Sequence, residues 1–138
     1  MLRRACLALP LVTLVSAMGG GSAMACFSAE AVARLANYDG GRVVAARVDE
    51  VVVHGAGTRN QRIQVWLSLL WSDPPLAEDR LSFQFRHADT GFLAAGRHYA
   101  ILLGETRGET TAHTVLDRVE APEGQVTARA RDCRAGLP

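Results

Sequence analysis

The chain reads as a mainly β domain. Five to six antiparallel strands follow one short helix, a meander that closes into a barrel or folds into a sandwich. Three observations predict this. Apolar and polar residues alternate with period two from about residue 42 onward. Short runs rich in Gly, Pro, Asp and Asn separate the alternating stretches and stop strands. The strand–helix–strand rhythm of a doubly wound parallel sheet does not occur.

The helix comes first. Ser28 is a good N-cap, and Glu30 lies in the first turn, where a carboxylate suits the helix dipole. Val32, Leu35 and Ala36 recur at helical spacing, so residues 29–36 can lay one face on a core. The run Asn37-Tyr38-Asp39-Gly40-Gly41 ends it. A strand over 42–54 follows, with Val44, Ala46 and Val48 on one face. Asp49-Glu50 interrupts it before Val51-Val52-Val53, which predicts a bulge or a sharp bend.

Residues 62–71 form the clearest strand. Ile63, Val65, Leu67, Leu69 and Trp71 share a core face, opposite Gln64, Trp66, Ser68 and Leu70. Trp66 is expected under the cover of the helix, with exposure at a binding surface as the other option. Ser72-Asp73-Pro74-Pro75 stops the strand. Residues 81–86 alternate with Leu81, Phe83 and Phe85 inward. A loop over 87–96 carries Phe92 and Leu93. Residues 97–103 place Tyr99, Ile101 and Leu103 on one face. A weaker strand over 110–116 and a connector over 117–124 lead to residues 125–131. There Val126, Ala128 and Ala130 alternate with Thr127, Arg129 and Arg131. This predicts a last strand, with a helix as the alternative.

The N-terminus reads as an address. Arg3 and Arg4 precede an apolar run over 5–18 that is shorter than the ~20 residues a membrane span needs. Ala23-Met24-Ala25 matches the A-x-A pattern of signal cleavage. Residues 1–25 are therefore expected to be a signal peptide cleaved near Ala25, and residues 26–138 a single periplasmic or secreted domain. The whole chain has 138 residues, three cysteines and a formal charge of +1. Cleavage removes Cys6 and two arginines, which leaves a charge of −1. Cys26 and Cys133 remain, and in an oxidising compartment an even pair reads as a disulfide. The rival fate is lipidation of Cys26, but Ala23 stands where a lipoprotein signal prefers Leu. A membrane is an expected partner only in that case.

Composition narrows the function. With 49% apolar and 21% charged residues, the chain is expected to fold. The near-neutral charge argues against a nucleic-acid binder. All 15 basic residues are arginine, but they are scattered as base-composition bias would scatter them.

The order of features carries a resemblance. An N-terminal cysteine and short helix lead to the strand from Val43 to Val51. The strand from Ile63 to Trp71 follows, then Leu81-Ser82-Phe83-Gln84-Phe85, then Gly96-Arg97-His98-Tyr99 opening a last apolar run. This resembles the netrin-like domain of the tissue inhibitors of metalloproteinases and their bacterial relatives, over about residues 26 to 133. The resemblance implies an OB-like antiparallel barrel, closed or partly open. It also implies an inhibitor in which the amine and carbonyl of Cys26 chelate a target protease's zinc. The chain departs from the family by opening Cys-x-Ser and by lacking interior cysteines, so the inhibitory ridge is less rigid and the fold is the better supported implication.

No set of residues reads as catalytic. His54, His87, His98 and His113 have no zinc-ligand spacing, although His98 and His113 fall on strands that can pair. Ser68 has no base near it in sequence, and no G-x-S-x-G occurs. The neighbouring pairs Asp49-Glu50 and Glu78-Asp79 point to opposite faces of a strand unless it bends. Arg129, Arg131 and Arg134 form a basic C-terminal cluster with Asp132 among them. No cofactor and no metal are expected. The expected function is a non-enzymatic exported module that binds a protein or small ligand. The alternatives are a metalloproteinase inhibitor acting through Cys26, a lipid-anchored envelope protein, and an enzyme whose site is assembled from distant residues. Cys26, Phe27, Trp66, Phe92 and Leu93 are the candidate partner contacts.

Overall fold

The computed structural model describes residues 26–138; the proposed signal segment lies outside the described residues. Helix α1 (Ala29–Arg34) starts at Ser28, whose Oγ accepts from the amide of Ala31 at 3.1 Å. A 3-10 turn over Leu35–Asn37 ends it. Five strands follow: β1 (Gly40–His54), β2 (Arg62–Asp73), β3 (Arg80–Phe85), β4 (His98–Thr106) and β5 (Ala112–Glu120). Helix α2 (Val126–Ala135) ends the chain. All strands join one antiparallel sheet in the order β3-β2-β1-β4-β5.

The long β1 pairs with β2 on one side and β4 on the other. Its register to β2 shifts between Ala45 and Ala46 and again between Val48 and Glu50. The second shift is the bulge that Asp49-Glu50 predicts. Both faces of the β1–β4 pair are covered. Residues 43–46 of β1 and 99–105 of β4 are buried without interruption. One face gives a core of Val44, Val48, Ile63, Val65, Leu67, Phe83, Ile101 and Leu103, with further residues around it. The other gives a second core in which Val43, Ala45, Ala100 and Leu102 meet Ala31, Val126 and Ala130 of the helices. The edge strands β3 and β5 make no ladder with each other. Their side chains do meet, because the Phe83 ring lies 5.4 Å from the imidazole of His113.

Residues 126–135 correct the expectation of a last strand. Val126, Ala130 and Cys133 are the buried positions, at spacings of four and three that fit a helix and no strand. Ala and Arg are strong helix formers, and that propensity wins over the chance alternation of Val126, Ala128 and Ala130. The described residues therefore hold five strands, and β5 continues to Glu120 through residues expected to be a connector.

Two glycines set the helical layer against the sheet. Gly41 and Gly104 are direct partners across β1 and β4. A Cβ on Gly41 would come within 2.7 Å of Leu35 Cδ2, and one on Gly104 within 2.8 Å of the Tyr38 ring. Their bare backbone is the floor on which the 3-10 turn rests. We expect Gly104→Ala to push Tyr38 off the sheet and to lower stability by about 1–3 kcal/mol, the usual cost of overpacking. A urea titration measures it, and an unchanged midpoint would show that Tyr38 moves freely.

Cys26 and Cys133 are bonded, with Cα atoms 5.2 Å apart. The bond ties the start of the described chain to α2, rather than to a final strand. It closes a loop of sequence separation 107, for which chain entropy gives about 4–5 kcal/mol. Cys133→Ser should cost a large part of that in the same titration. Mass measurement after alkylation without reductant should find no free thiol among residues 26–138.

Candidate functional site

The two helices cover only part of the sheet's outer side. They lie over β1, β4, β5 and the end of β2, where Trp71 packs against the helical core and Arg134 pairs with Asp73, and leave the outer face of the first part of β2, of β3 and of the second half of β1 open. Trp66 stands there, 37% exposed. Its cross-strand partners are Glu50 on β1 and Ser82 on β3. The expected helix cover for this tryptophan is absent, because both helices lie on the other half of the sheet. A groove of about 350 Å³ runs beside it, lined by Asp49, Glu50, Trp66, Leu67, Arg80, Leu81 and Ser82.

The bulge shapes this groove. It places Asp49 and Glu50, alternate-face neighbours on a regular strand, along one opening. Asp49 is well supplied with donors. Ser68 donates to Oδ2 at 2.6 Å and Arg47 Nε to Oδ1 at 2.8 Å. The Ser68 hydroxyl first, and Arg47 after it, hold the Asp49 carboxyl below its ordinary range. Ser68 therefore has a carboxylate beside it that the sequence could not place. A carboxylate held low is a weak base, so the pair is better suited to fixing Arg47 than to activating a nucleophile. One step along the sheet, Gln64 donates to Ser82 Oγ at 3.0 Å and Gln84 donates to Gln64 Oε1 at 2.8 Å. These bonds orient both amides across β2 and β3.

The other candidate contacts lie elsewhere. Cys26 is exposed and Phe27 half-buried beside the helices. Leu93 is 1% exposed and belongs to the first core, which corrects its expected surface role. Phe92 is half-buried, with its ring stacked on His87 at a centroid distance of 3.9 Å and the Arg118 guanidinium 4.1 Å above it. Of the five expected contact residues, only Trp66 is on the open face of the sheet. In the basic cluster, Arg134 pairs with Asp73 at 3.0 Å, and Arg131 lies 6.0 Å from the Trp71 ring. The histidine pair is also apart. His98 lies at the start of β4 near Glu123, whereas His113 faces Glu105 at the far end.

A second polar cluster sits at that far end, inside the sheet's curve. Glu105, 3% exposed, receives Arg42 Nε at 2.7 Å and Arg42 Nη2 at 3.3 Å. Arg42 also donates to Ser72 Oγ and to the carbonyls of Pro74 and Pro75, which pins the β2–β3 turn. His113 Nδ1 lies 3.2 Å from Glu105 Oε2, a contact that is an ion pair only when the imidazole is protonated, and Nδ1 otherwise has no hydrogen-bond partner. Burial pulls the imidazole below its ordinary range; Glu105 opposes this and Arg42 adds to it. The cluster is enclosed by core and by the turn it fastens. Among the described residues, no group of three or more His, Cys, Asp or Glu is placed to hold a metal.

The chain matches no family model, no curated protein and no solved structure in comparisons with each.

The lowered His113 has a signed consequence. The unfolded chain takes up this proton near pH 6.5, and the folded chain only below that. Stability from neutral His113 is thus complete above about pH 6.5 and is lost as pH falls toward the folded value. His113→Gln should flatten that part of the stability–pH curve. An unchanged slope in thermal melts across this window would assign the dependence to other groups.

Proposed function

We propose that residues 26–138 form an exported, non-enzymatic binding module of OB-like barrel form, and that it binds its partner on the open outer face of β1, β2 and β3. The observation that carries this is Trp66, a large ring left 37% exposed beside a groove on a face that neither helix covers. Exposed tryptophan is costly to keep in water and valuable at a contact. The barrel reading is supported by the central place of β1 and by the meeting of Phe83 with His113 across the two sheet edges. The netrin-like resemblance and the signal-like N-terminus are consistent with it. OB barrels use the face of their second and third strands for ligands, which is the face open in this chain.

Inhibition of a zinc protease through Cys26 is the second reading. It is favoured by one feature: Cys26 is exposed and anchored through Cys133 to α2. The same bond leaves no Cys26 thiol to carry a lipid, which weighs against a lipid anchor.

One experiment separates the two readings. Amide correlation spectra of residues 26–138 are recorded against neutral oligosaccharides, a single-stranded oligonucleotide and a zinc-protease catalytic domain. Binding on the open face should shift Glu50, Trp66 and Ser82, and Trp66→Ala should abolish the shifts. Shifts centred on Cys26 and Phe27 with the protease would instead establish the inhibitor. Silence toward every probe would sink the open-face reading.

A further inference from the structure

The loop end of the sheet holds a second opening, which shares no lining residue with the Trp66 groove. We propose that this opening binds a small tetrahedral dianion, a phosphate or a sulfate group. It is a pocket of about 460 Å³ between the β1–β2 loop and the chain that leaves β3. Arg59, Arg86 and His87 line it together with neutral residues, and no carboxylate does.

The walls are fixed before any ligand arrives. Gln61 fastens the two segments to each other. Its Nε2 donates to the carbonyls of His87 and Ala88 at 3.0 and 3.2 Å, and its Oε1 accepts from the Gly57 amide at 2.8 Å. Gly57 turns the loop at φ +79°, which glycine adopts without strain. His87 is held as well. Its Nδ1 accepts from the Asp89 amide at 3.0 Å, and its ring stacks on Phe92. With Nδ1 accepting, the neutral ring carries its proton on Nε2 and keeps that nitrogen as a donor. Groups fixed in advance lose less entropy on binding.

Charge and donor number specify the ligand. Among the described residues, Arg59 and Arg86 have no carboxylate within ion-pairing distance; the paired arginines are Arg42, Arg47, Arg97 and Arg134. Arg62, next to Gln61, is unpaired too and adds to the positive field. Asp89, the nearest acid along the chain, accepts from the Gly91 amide and lies outside the lining. Like charges around one opening repel each other, so an anion between them gains from both. One guanidinium fork already saturates the two oxygens of a carboxylate. Two forks and an imidazole offer more donors than that, and they match three or four oxygens around one centre. The lining has no Phe, Tyr or Trp on which a base or a sugar ring would stack, so what it offers is charge.

The test uses the disulfide-bonded chain 26–138 at fixed ionic strength. Amide correlation spectra follow titration with inorganic phosphate, sulfate and phenyl phosphate, and with succinate as a dicarboxylate. A tetrahedral probe should bind saturably and shift Gly57, Thr58, His87 and Ala88. Tighter binding of phenyl phosphate than of inorganic phosphate supports the site with an organic monoester as the source, and equal affinity supports it with the free ion. Arg59→Ala and Arg86→Ala should each weaken binding about tenfold, the scale of a lost charge-assisted hydrogen bond. Both side chains are exposed, and unchanged core amides in the same spectra show that each variant is folded. Trp66→Ala should leave the affinity as it is, so this pocket stands or falls separately from the open face. Failure of every tetrahedral probe to bind would overturn the anion site. Binding that survives loss of both arginines, or succinate binding as tight as phosphate, would do the same. Shifts that Trp66→Ala removes would also overturn it, by moving the ion to the open face.

Discussion

Everything in this fold follows from β1 being buried on both faces over residues 43–46 while it pairs with β2 and β4 at once. A strand in that position needs two cores. The sheet's own curve supplies one, with Ile63, Leu67, Phe83 and Ile101 filling it. The second needs a separate layer, and among the described residues two small helices provide it. Neither helix is long enough to be stable alone. The apolar contacts of Ala31, Val126 and Ala130 hold them, and so does the Cys26–Cys133 bond joining the first segment to the last. Asp117 adds a tether by accepting from the Ser28 amide at 2.8 Å.

The far end of the inner core is closed by charge instead of by apolar packing. A buried Arg42–Glu105 pair is no clear gain in stability, since the desolvation of two ions offsets their attraction. Its value here is positional. One guanidinium reads Glu105 on β4 and the turn after β2 together, which fixes where that turn crosses the end of the sheet. His113 completes the enclosure between Glu105 and the Phe83 ring. Because β3 and β5 share no backbone ladder, this contact is where the two edges are held near each other.

The local pattern of the sheet was legible in the sequence, and its long-range couplings were not. Period-two alternation located all five strands, and Asp49-Glu50 announced the bulge. Alternation failed at residues 126–131, where Val126, Ala128 and Ala130 satisfy period two as well as they begin a helix. The further signal is Cys133, three residues beyond Ala130 on the same helical stripe. Leu93 looked like a surface residue because it sits in a loop, but that loop folds inward. The amide of Ala94 donates to the Tyr99 hydroxyl at 3.0 Å, just after Leu93 enters the core. Arg42, Glu105 and His113 are scattered along the chain, and only the pairing of β1 with β4 and β4 with β5 unites them. The facing glycines Gly41 and Gly104 were equally hidden, since each alone reads as an ordinary turn or strand glycine.

The open face is a consequence of which residues point outward. Gln64, Ser68, Ser82 and Gln84 alternate outward on β2 and β3, and a helix laid over them would strand their polar groups away from water. The outward residues of β1 and β4 near the helices are Val43, Ala45, Ala100 and Leu102, which gain from being covered. The second layer therefore stops where the outward side chains turn polar. Trp66 lies past that boundary, so the packing that accounts for every other large ring in the sheet gives no reason for this one. A smaller polar residue would serve the fold there equally well. The open-face binding proposed for this chain would supply that reason.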